Sequence, residues 1–270
     1  MTPEAEKERM THLSAPPSSS RYYWDLIVAL TKKELKVRYK RSFLGYLWSV
    51  ANPLALALVF FIAFKIVMKI QIENYTLFLI SGLFPWQWFS TSVNSSAMVF
   101  VNNASLIKKV SFHREALVLA TVLNDMLHFV LSVPVIVIFL FYYGKAPTAS
   151  WLVGFPLLLL IQCILTFGLS VAVSAVNLFF RDMERIVMIF TTLMFYVTPV
   201  IYSEDMVPPK YRALILYNPL SAVMLSWRNL FMKGAIDMGG ILSALAYSLI
   251  IFALGLLIFR RLRWRLAEVV

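Results

Sequence analysis

Lys32-Lys33-Glu34-Leu35-Lys36-Val37-Arg38-Tyr39-Lys40-Arg41 is followed, one residue later, by a run without a single charge, Phe43-Leu44-Gly45-Tyr46-Leu47-Trp48-Ser49-Val50-Ala51-Asn52-Pro53-Leu54-Ala55-Leu56-Ala57-Leu58-Val59-Phe60-Phe61-Ile62-Ala63-Phe64. This juxtaposition decides the fold. A soluble fold has no need of it, whereas a bilayer does, because a charge in hydrocarbon costs roughly 2.5–3.5 kcal/mol per residue on insertion scales. The same basic punctuation recurs between long apolar runs. It appears as Lys108-Lys109 with His113-Arg114, as Arg181-Asp182-Met183-Glu184-Arg185, and as Arg260-Arg261-Leu262-Arg263-Trp264-Arg265.

Composition agrees with the pattern. Of 270 residues 60% are hydrophobic and 14% charged, and the mean hydropathy is +0.75, where soluble domains carry about 25% charged residues. The net charge of +11 does not point to nucleic acid. The positive residues sit at the ends of apolar runs, where they anchor to anionic headgroups and set topology. The single cysteine, Cys163, lies inside an apolar run, so the chain has no disulfide framework and no Cys/His zinc spacing. Residues 1–20 read as a disordered polar tail on the cytoplasmic side, without the short apolar core and cleavage site of a signal peptide.

A spanning helix needs about 20 apolar residues, and six segments qualify. They are Phe43–Phe64, Asn74 to about Phe100, Leu117–Tyr142, Ala146–Phe180, Ile186–Tyr202 and Met238–Phe259. The expected fold is therefore an all-α integral membrane protein with six transmembrane helices. Cytoplasmic termini place about 18 Lys and Arg inside and about 7 outside, the sense that the positive-inside rule favours. Trp24, Trp48, Trp86, Trp88, Trp151 and Trp264 fall near the expected membrane interfaces.

Two segments do not span. Over residues 21–42, Tyr23, Leu26, Ile27, Leu30 and Val37 share one helical face and Lys32, Lys33, Lys36 and Lys40 another, which predicts an amphipathic helix lying along the inner leaflet, with Leu26, Leu30, Glu34 and Arg38 its interface residues. Over 203–237, Asn218-Pro219 reads as a helix start, N-cap followed by Pro at the first helical position. The apolar stretch Ala213–Trp227 is too short to span, and predicts re-entrant helices between the fifth and sixth spans, lidding the outer mouth.

Catalytic motifs are missing. There is no P-loop, the only Gly-Lys pair (Gly144-Lys145) running on into Ala146-Pro147, and no HExxH, GxSxG or GxGxxG. Asp125 and His128, three residues apart, share one helix face inside the third span. They read as structural or interfacial residues rather than a proton relay. The two halves of the chain show no convincing repeat of the kind secondary transporters carry.

Arg38-Tyr39-Lys40-Arg41-Ser42-Phe43-Leu44-Gly45-Tyr46-Leu47-Trp48-Ser49-Val50-Ala51-Asn52-Pro53-Leu54 resembles the entry to the first span of ABC transporter permeases of the polysaccharide-export class. Four further stretches match in the same order: Ser81-Gly82-Leu83-Phe84-Pro85-Trp86, the basic stretch Leu106–Glu115, Phe179-Phe180-Arg181-Asp182-Met183, and Thr198-Pro199-Val200-Ile201-Tyr202. His113 stands where the family usually has Pro. The resemblance covers residues 22–265 and implies a six-span ABC transmembrane domain over 43–265.

That resemblance implies a homodimer around a channel, driven by two copies of a separate cytosolic ATP-binding-cassette ATPase, with ATP and Mg bound in that partner and no cofactor or metal in this chain. The implied cargo is lipid-linked polysaccharide, O-antigen first among capsule and teichoic acid, and the implied location is the plasma (inner) membrane. Residues 102–116 would be the coupling helix, with Leu106, Ile107, Lys108, Val110, Phe112 and Arg114 docking on the ATPase, and 203–237 the extracytoplasmic gate. Sugar C–H faces lie readily on aromatic rings, which makes Tyr46, Trp86, Trp88, Phe89, Phe190, Phe195, Tyr196 and Tyr202 candidates for lining the channel. A drug or small-lipid permease of the same transporter class, and a membrane-embedded glycan-assembly enzyme, stand as alternatives.

Overall fold

A computed structural model describes residues 20–39, 45–110, 112–180 and 182–263, all-helical with no strand among them. The expected tail over 1–20 therefore falls outside the described residues except for Ser20, as do Phe43, Ser111, Arg181 and Trp264. The chain begins with α1 (Ser20–Tyr39). A 3-10 turn at Gly45–Leu47 leads into α2 (Trp48–Phe60), which loosens into a π-helix over Phe61–Val67. Then come α3 (Tyr75–Ala97), α4 (Val99–Asn102), α5 (Ala104–Lys109), α6 (Glu115–Tyr142), α7 (Trp151–Asn177) and α8 (Met183–Val197). Past a loop with two short 3-10 turns lie α9 (Arg212–Leu216), α10 (Pro219–Arg228) with a π-helical extension over Asn229–Lys233, and α11 (Met238–Leu262).

Four of these are long and apolar enough on their own to cross a membrane: Val50–Val67, α6, α7 and α11. The other two expected spans depart from a plain apolar span for different physical reasons. α3 is long enough at 23 residues, but its interior carries Ser81, Pro85, Gln87, Ser92 and Asn94. It tolerates them because protein surrounds it: 17 of its 23 residues are buried. α8 has only 15 residues, about 22 Å of rise, and hides only Val187, Thr191 and Phe195.

Hydrogen bonds fix how the bundle runs. Gln162 on α7 donates to the Pro85 carbonyl (2.8 Å), and Asn177 reaches Met98 Sδ (3.4 Å), so α3 and α7 are parallel. Trp88 Nε1 donates to the Val122 carbonyl (3.2 Å) and Ser92 to Asp125 (2.9 Å), which ties α6 to α3. α7 and α11 cross backbone to backbone. A Cβ on Gly168 would lie 2.7 Å from the Phe252 nitrogen, and one on Gly255 would run into the Gly168 carbonyl group. Small residues at such a crossing let two membrane helices approach closely, where dispersion rather than hydrophobic effect drives association.

The segment read as an amphipathic helix is helical as α1, but its apolar face is turned differently from the expected inner-leaflet arrangement. Ile27 and Leu30 are buried with Phe112, Ala116, Leu117, Ala120 and Phe259, and Leu26 packs against the same cluster. The apolar stripe is used on protein, and Trp24, 64% exposed, is left as the ring free to enter lipid. Trp86 and Trp88 also differ from the expected interfacial placement. At 5% and 2% exposed they belong to the interior core, Trp88 with its indole N–H satisfied inside the bundle.

Candidate functional site

One end of the bundle is built around Thr198-Pro199-Val200-Ile201-Tyr202. Pro199 forces its predecessor out of the α region, and Thr198 is extended (φ −84°, ψ 136°), so α8 stops there. Thr198, Val200 and Ile201 are nonetheless buried. A buried non-helical segment leaves carbonyls without ladder partners, and each such orphan is costly. Side chains from four places meet the demand. Arg228, the last residue of α10, donates from Nη1 to the Pro199 carbonyl and from Nη2 to the Val200 carbonyl, both at 2.6 Å. Tyr75 donates to the Ile201 carbonyl (3.1 Å). Asn218 donates to Thr198 Oγ1 (2.9 Å) while its Oδ1 caps the Leu220 N–H (3.0 Å), the N-cap read from Asn218-Pro219. Tyr202 turns back to donate to the Tyr196 and Val197 carbonyls at 3.1 and 2.9 Å, closing the end of α8.

The Ser81–Trp86 motif seats this strap. Gly82 leaves the space Arg228 fills, since a Cβ there would stand 2.8 Å from Nη2 and 3.2 Å from the Val200 carbonyl oxygen. Phe78, one turn earlier, lies under the guanidinium, 3.7 Å from ring centroid to Cζ, a cation–π geometry. One turn further on, the Pro85 carbonyl accepts from Gln162, whose Oε1 accepts in turn from Trp227 Nε1 at 2.6 Å. Consecutive residues Trp227 and Arg228 thus tie α10 to α7, α3 and the strap. Sequence reading counted Arg228 as an ordinary outside charge; it is 6% exposed. Its signal was an Arg directly after Trp in an otherwise apolar stretch. The helix pair α9–α10 stands where the gate was expected, its two helices meeting at Tyr217-Asn218, where the second was expected to start.

At the opposite end, the segment expected to be one coupling helix over 102–116 is broken. α4 ends at Asn103, which donates to the Val99 carbonyl (2.9 Å) and accepts from Lys33 of α1 (2.6 Å). Between α4 and α6, helix is found among the described residues over Ala104–Lys109, and Val110 is extended. Lys108, Lys109 and Val110 are exposed. Leu106 and Ile107 pack partly on the protein's own cluster, Phe112 is 9% exposed within it, and Arg114 is half-buried. His113 stands edge-on to Tyr23, centroids 5.6 Å apart, and burial, with the Glu115 charge as a smaller cause, raises the Tyr23 phenol above its ordinary 10. Of the α1 residues, Leu26 and Leu30 face this cluster and Glu34 pairs with Lys33 (3.5 Å), while the side chain of Arg38 lies outside the described residues.

The candidate channel aromatics divide in two. Trp86, Trp88, Phe89 and Phe195 are interior, with Trp86 5.5 Å from both Phe89 and Phe195 and Trp88 stacked on Phe129. Phe190 and Tyr196 are on the exposed flank of α8 (39% and 59%), and Tyr202 is half-exposed. The side chain of Tyr46 lies outside the described residues. Asp125 and His128 are both buried in α6, Asp125 accepting from Ser92. No cluster of three or more His, Cys, Asp or Glu suited to a metal occurs among the described residues.

A helical, multi-pass membrane subunit with a strap at one end and a basic, helical segment at the other is the class these features define. The chain belongs to the ABC-2 type transporter family, whose membrane-domain signature matches residues 25–232. It is 50% identical over 248 residues to the O-antigen export system permease protein RfbA of Klebsiella pneumoniae, covering 92% of this chain and 96% of that protein. The protein of the same name from Myxococcus xanthus is 36% identical over 250 residues, covering 91% and 95%. The polysialic acid transport protein KpsM of Escherichia coli is 24% identical over 237 residues, covering 87% and 92%.

Proposed function

We propose that this chain is the transmembrane permease subunit of an ATP-driven exporter that moves lipid-linked O-antigen polysaccharide outward across the inner membrane. The end-to-end 50% identity to the O-antigen export permease of Klebsiella pneumoniae carries this reading. The more distant likeness to a polysialic acid transporter, at 24%, places capsule-type glycans second. ATP is bound and hydrolysed in a separate ATPase subunit, because the chain itself has no P-loop.

In this reading α2, α3, α6, α7, α8 and α11 are the six spans, α8 completed by the strap that follows it, and α9–α10 enter the outer leaflet and return. Two copies pair and two ATPase subunits dock below. The exposed flank of α8, with Phe190, Tyr196 and the half-exposed Tyr202, supports a glycan path along that helix rather than through the core occupied by Trp86, Trp88, Phe89 and Phe195. The exposed Lys108, Lys109 and Val110 support docking of the ATPase at α5.

Complementation tests the assignment. In a strain lacking its own O-antigen export permease, this chain supplied with its ATPase should restore surface O-antigen and clear the lipid-linked polymer held at the cytoplasmic face. Polymer that stays inside although both subunits reach the membrane refutes it.

A further inference from the structure

Arg228 is held in an unusual way. It is a guanidinium 6% exposed, yet no carboxylate lies within ion-pair distance of it among the described residues. Its partners are two neutral carbonyls and the face of Phe78, and its Nε–H is buried with no acceptor among the described residues. Glu204 acts on this charge only from beyond ion-pair contact, and a buried charge with no carboxylate in contact and one hydrogen bond unmade is poor permanent glue. Both of its acceptors, moreover, belong to one segment, the strap, while its seat belongs to α3 through Gly82 and Phe78. Removing the guanidinium would orphan two buried carbonyls for which no other donor is found among the described residues.

We propose that Arg228 is the positioning residue of the transport path's outer end: it latches the Thr198–Ile201 strap shut on α3, and opening for cargo requires its two carbonyl bonds to break. The latch is reversible by construction. Polar groups entering with water or a hydroxyl-rich polymer offer the carbonyls new donors and the guanidinium, including its idle Nε–H, new acceptors. A carboxylate partner would have fixed the charge in the closed position instead. The inference rests on the permease reading but not on the identity of the cargo.

The test uses the full-length permease co-expressed with its ATPase and reconstituted in liposomes loaded with a small anionic dye. The variants are Arg228→Lys, which keeps the charge but loses the two-pronged grip, and Gly82→Ala, which keeps Arg228 and pushes it off its seat. Both should elute and bind ATPase as the wild type does, yet release dye at least roughly tenfold faster, the factor equivalent to about 1.4 kcal/mol. The double variant should leak no more than Arg228→Lys alone, because the two changes break one contact. Vesicles as tight as wild type for both single variants overturn the latch, as does a double variant whose leaks multiply. If Arg228→Lys fails to fold, Gly82→Ala decides alone: tight vesicles, or misfolding there too, leave Arg228 a purely structural residue and sink the proposal. Leak needs no polysaccharide, so an error about the cargo shows in complementation and leaves this result standing.

Discussion

Gly255→Ala is the smallest change that should damage this protein badly. The added Cβ would lie 2.7 Å from the Gly168 carbonyl carbon and 3.1 Å from its Cα, where ordinary contact begins at 3.4 Å. Both clashing atoms are backbone, so no side chain can swing away, and α7 and α11 must part by about 1 Å at their crossing. A radial gap of that size forfeits a quarter to a half of each dispersion contact, and each is worth about 0.1–0.2 kcal/mol. With roughly twenty heavy-atom pairs at such a crossing, and strain added, the cost comes to about 1–3 kcal/mol, the usual range for overpacking. Gly239→Ala on the same helix is the control. Its Cβ would meet only Asp237 Oδ1, at 3.5 Å, and Ala exceeds Gly in helix propensity by up to about 1 kcal/mol. Thermal unfolding of the purified permease in detergent, followed by monodisperse elution after heating, should therefore move the two midpoints in opposite directions. A Gly255→Ala protein as heat-resistant as the wild type would mean that the two backbones do not touch as described.

Three further outcomes follow from the interior and the basic face. Gln162→Leu and Trp227→Phe each strand a buried partner, at about 0.6–1.7 kcal/mol per interhelical bond in a membrane, so the double variant should recover part of the summed loss; a coupling energy below about 0.3 kcal/mol in a detergent-unfolding cycle removes the Trp227–Gln162–Pro85 chain as a determinant. Phe112→Ala should lower stability by about 3–5 kcal/mol through a core cavity, whereas Lys108→Glu with Lys109→Glu should leave the permease stable but abolish stimulation of the ATPase; full stimulation by the double-Glu variant would move the docking surface elsewhere.

The membrane class and most helix positions were legible because they depend on where charge is forbidden, and charge is read directly from sequence. Asn218-Pro219 was legible for the same local reason, a cap and a ring acting within four residues. What was hidden depends on partners distant in sequence. α1 carries an honest amphipathic pattern, but pattern alone does not say whether Ile27 and Leu30 meet lipid or Ala116 and Leu117. Gly168 and Gly255 are unremarkable until the crossing of α7 and α11 brings them together. Trp86 and Trp88 look like interfacial rings, and their burial is decided by α3 being enclosed. Arg228 shows the limit most sharply: its acceptors are 28 and 29 residues away, in carbonyls that any sequence would supply.

α3 explains why a transport subunit should carry a polar long helix at its centre. A helix facing lipid must be apolar around its whole circumference, and it then has nothing with which to hold its neighbours in register beyond dispersion. Enclosed by protein, α3 can present a different polar group at each level: Phe78 and Gly82 to Arg228, the Pro85 carbonyl to Gln162, Ser92 to Asp125. Below Ala97 the same chain passes through α4 to Asn103, which Lys33 of α1 grips, and on to the exposed Lys108 and Lys109. The helix that seats the outer strap is therefore continuous, save for one bend at Met98 and one at Asn103, with the basic surface on the opposite side. In the proposed reading, a push by the ATPase on α5 would reach Gly82 through these two bends, and the directional polar contacts would carry it from α3 to its partners.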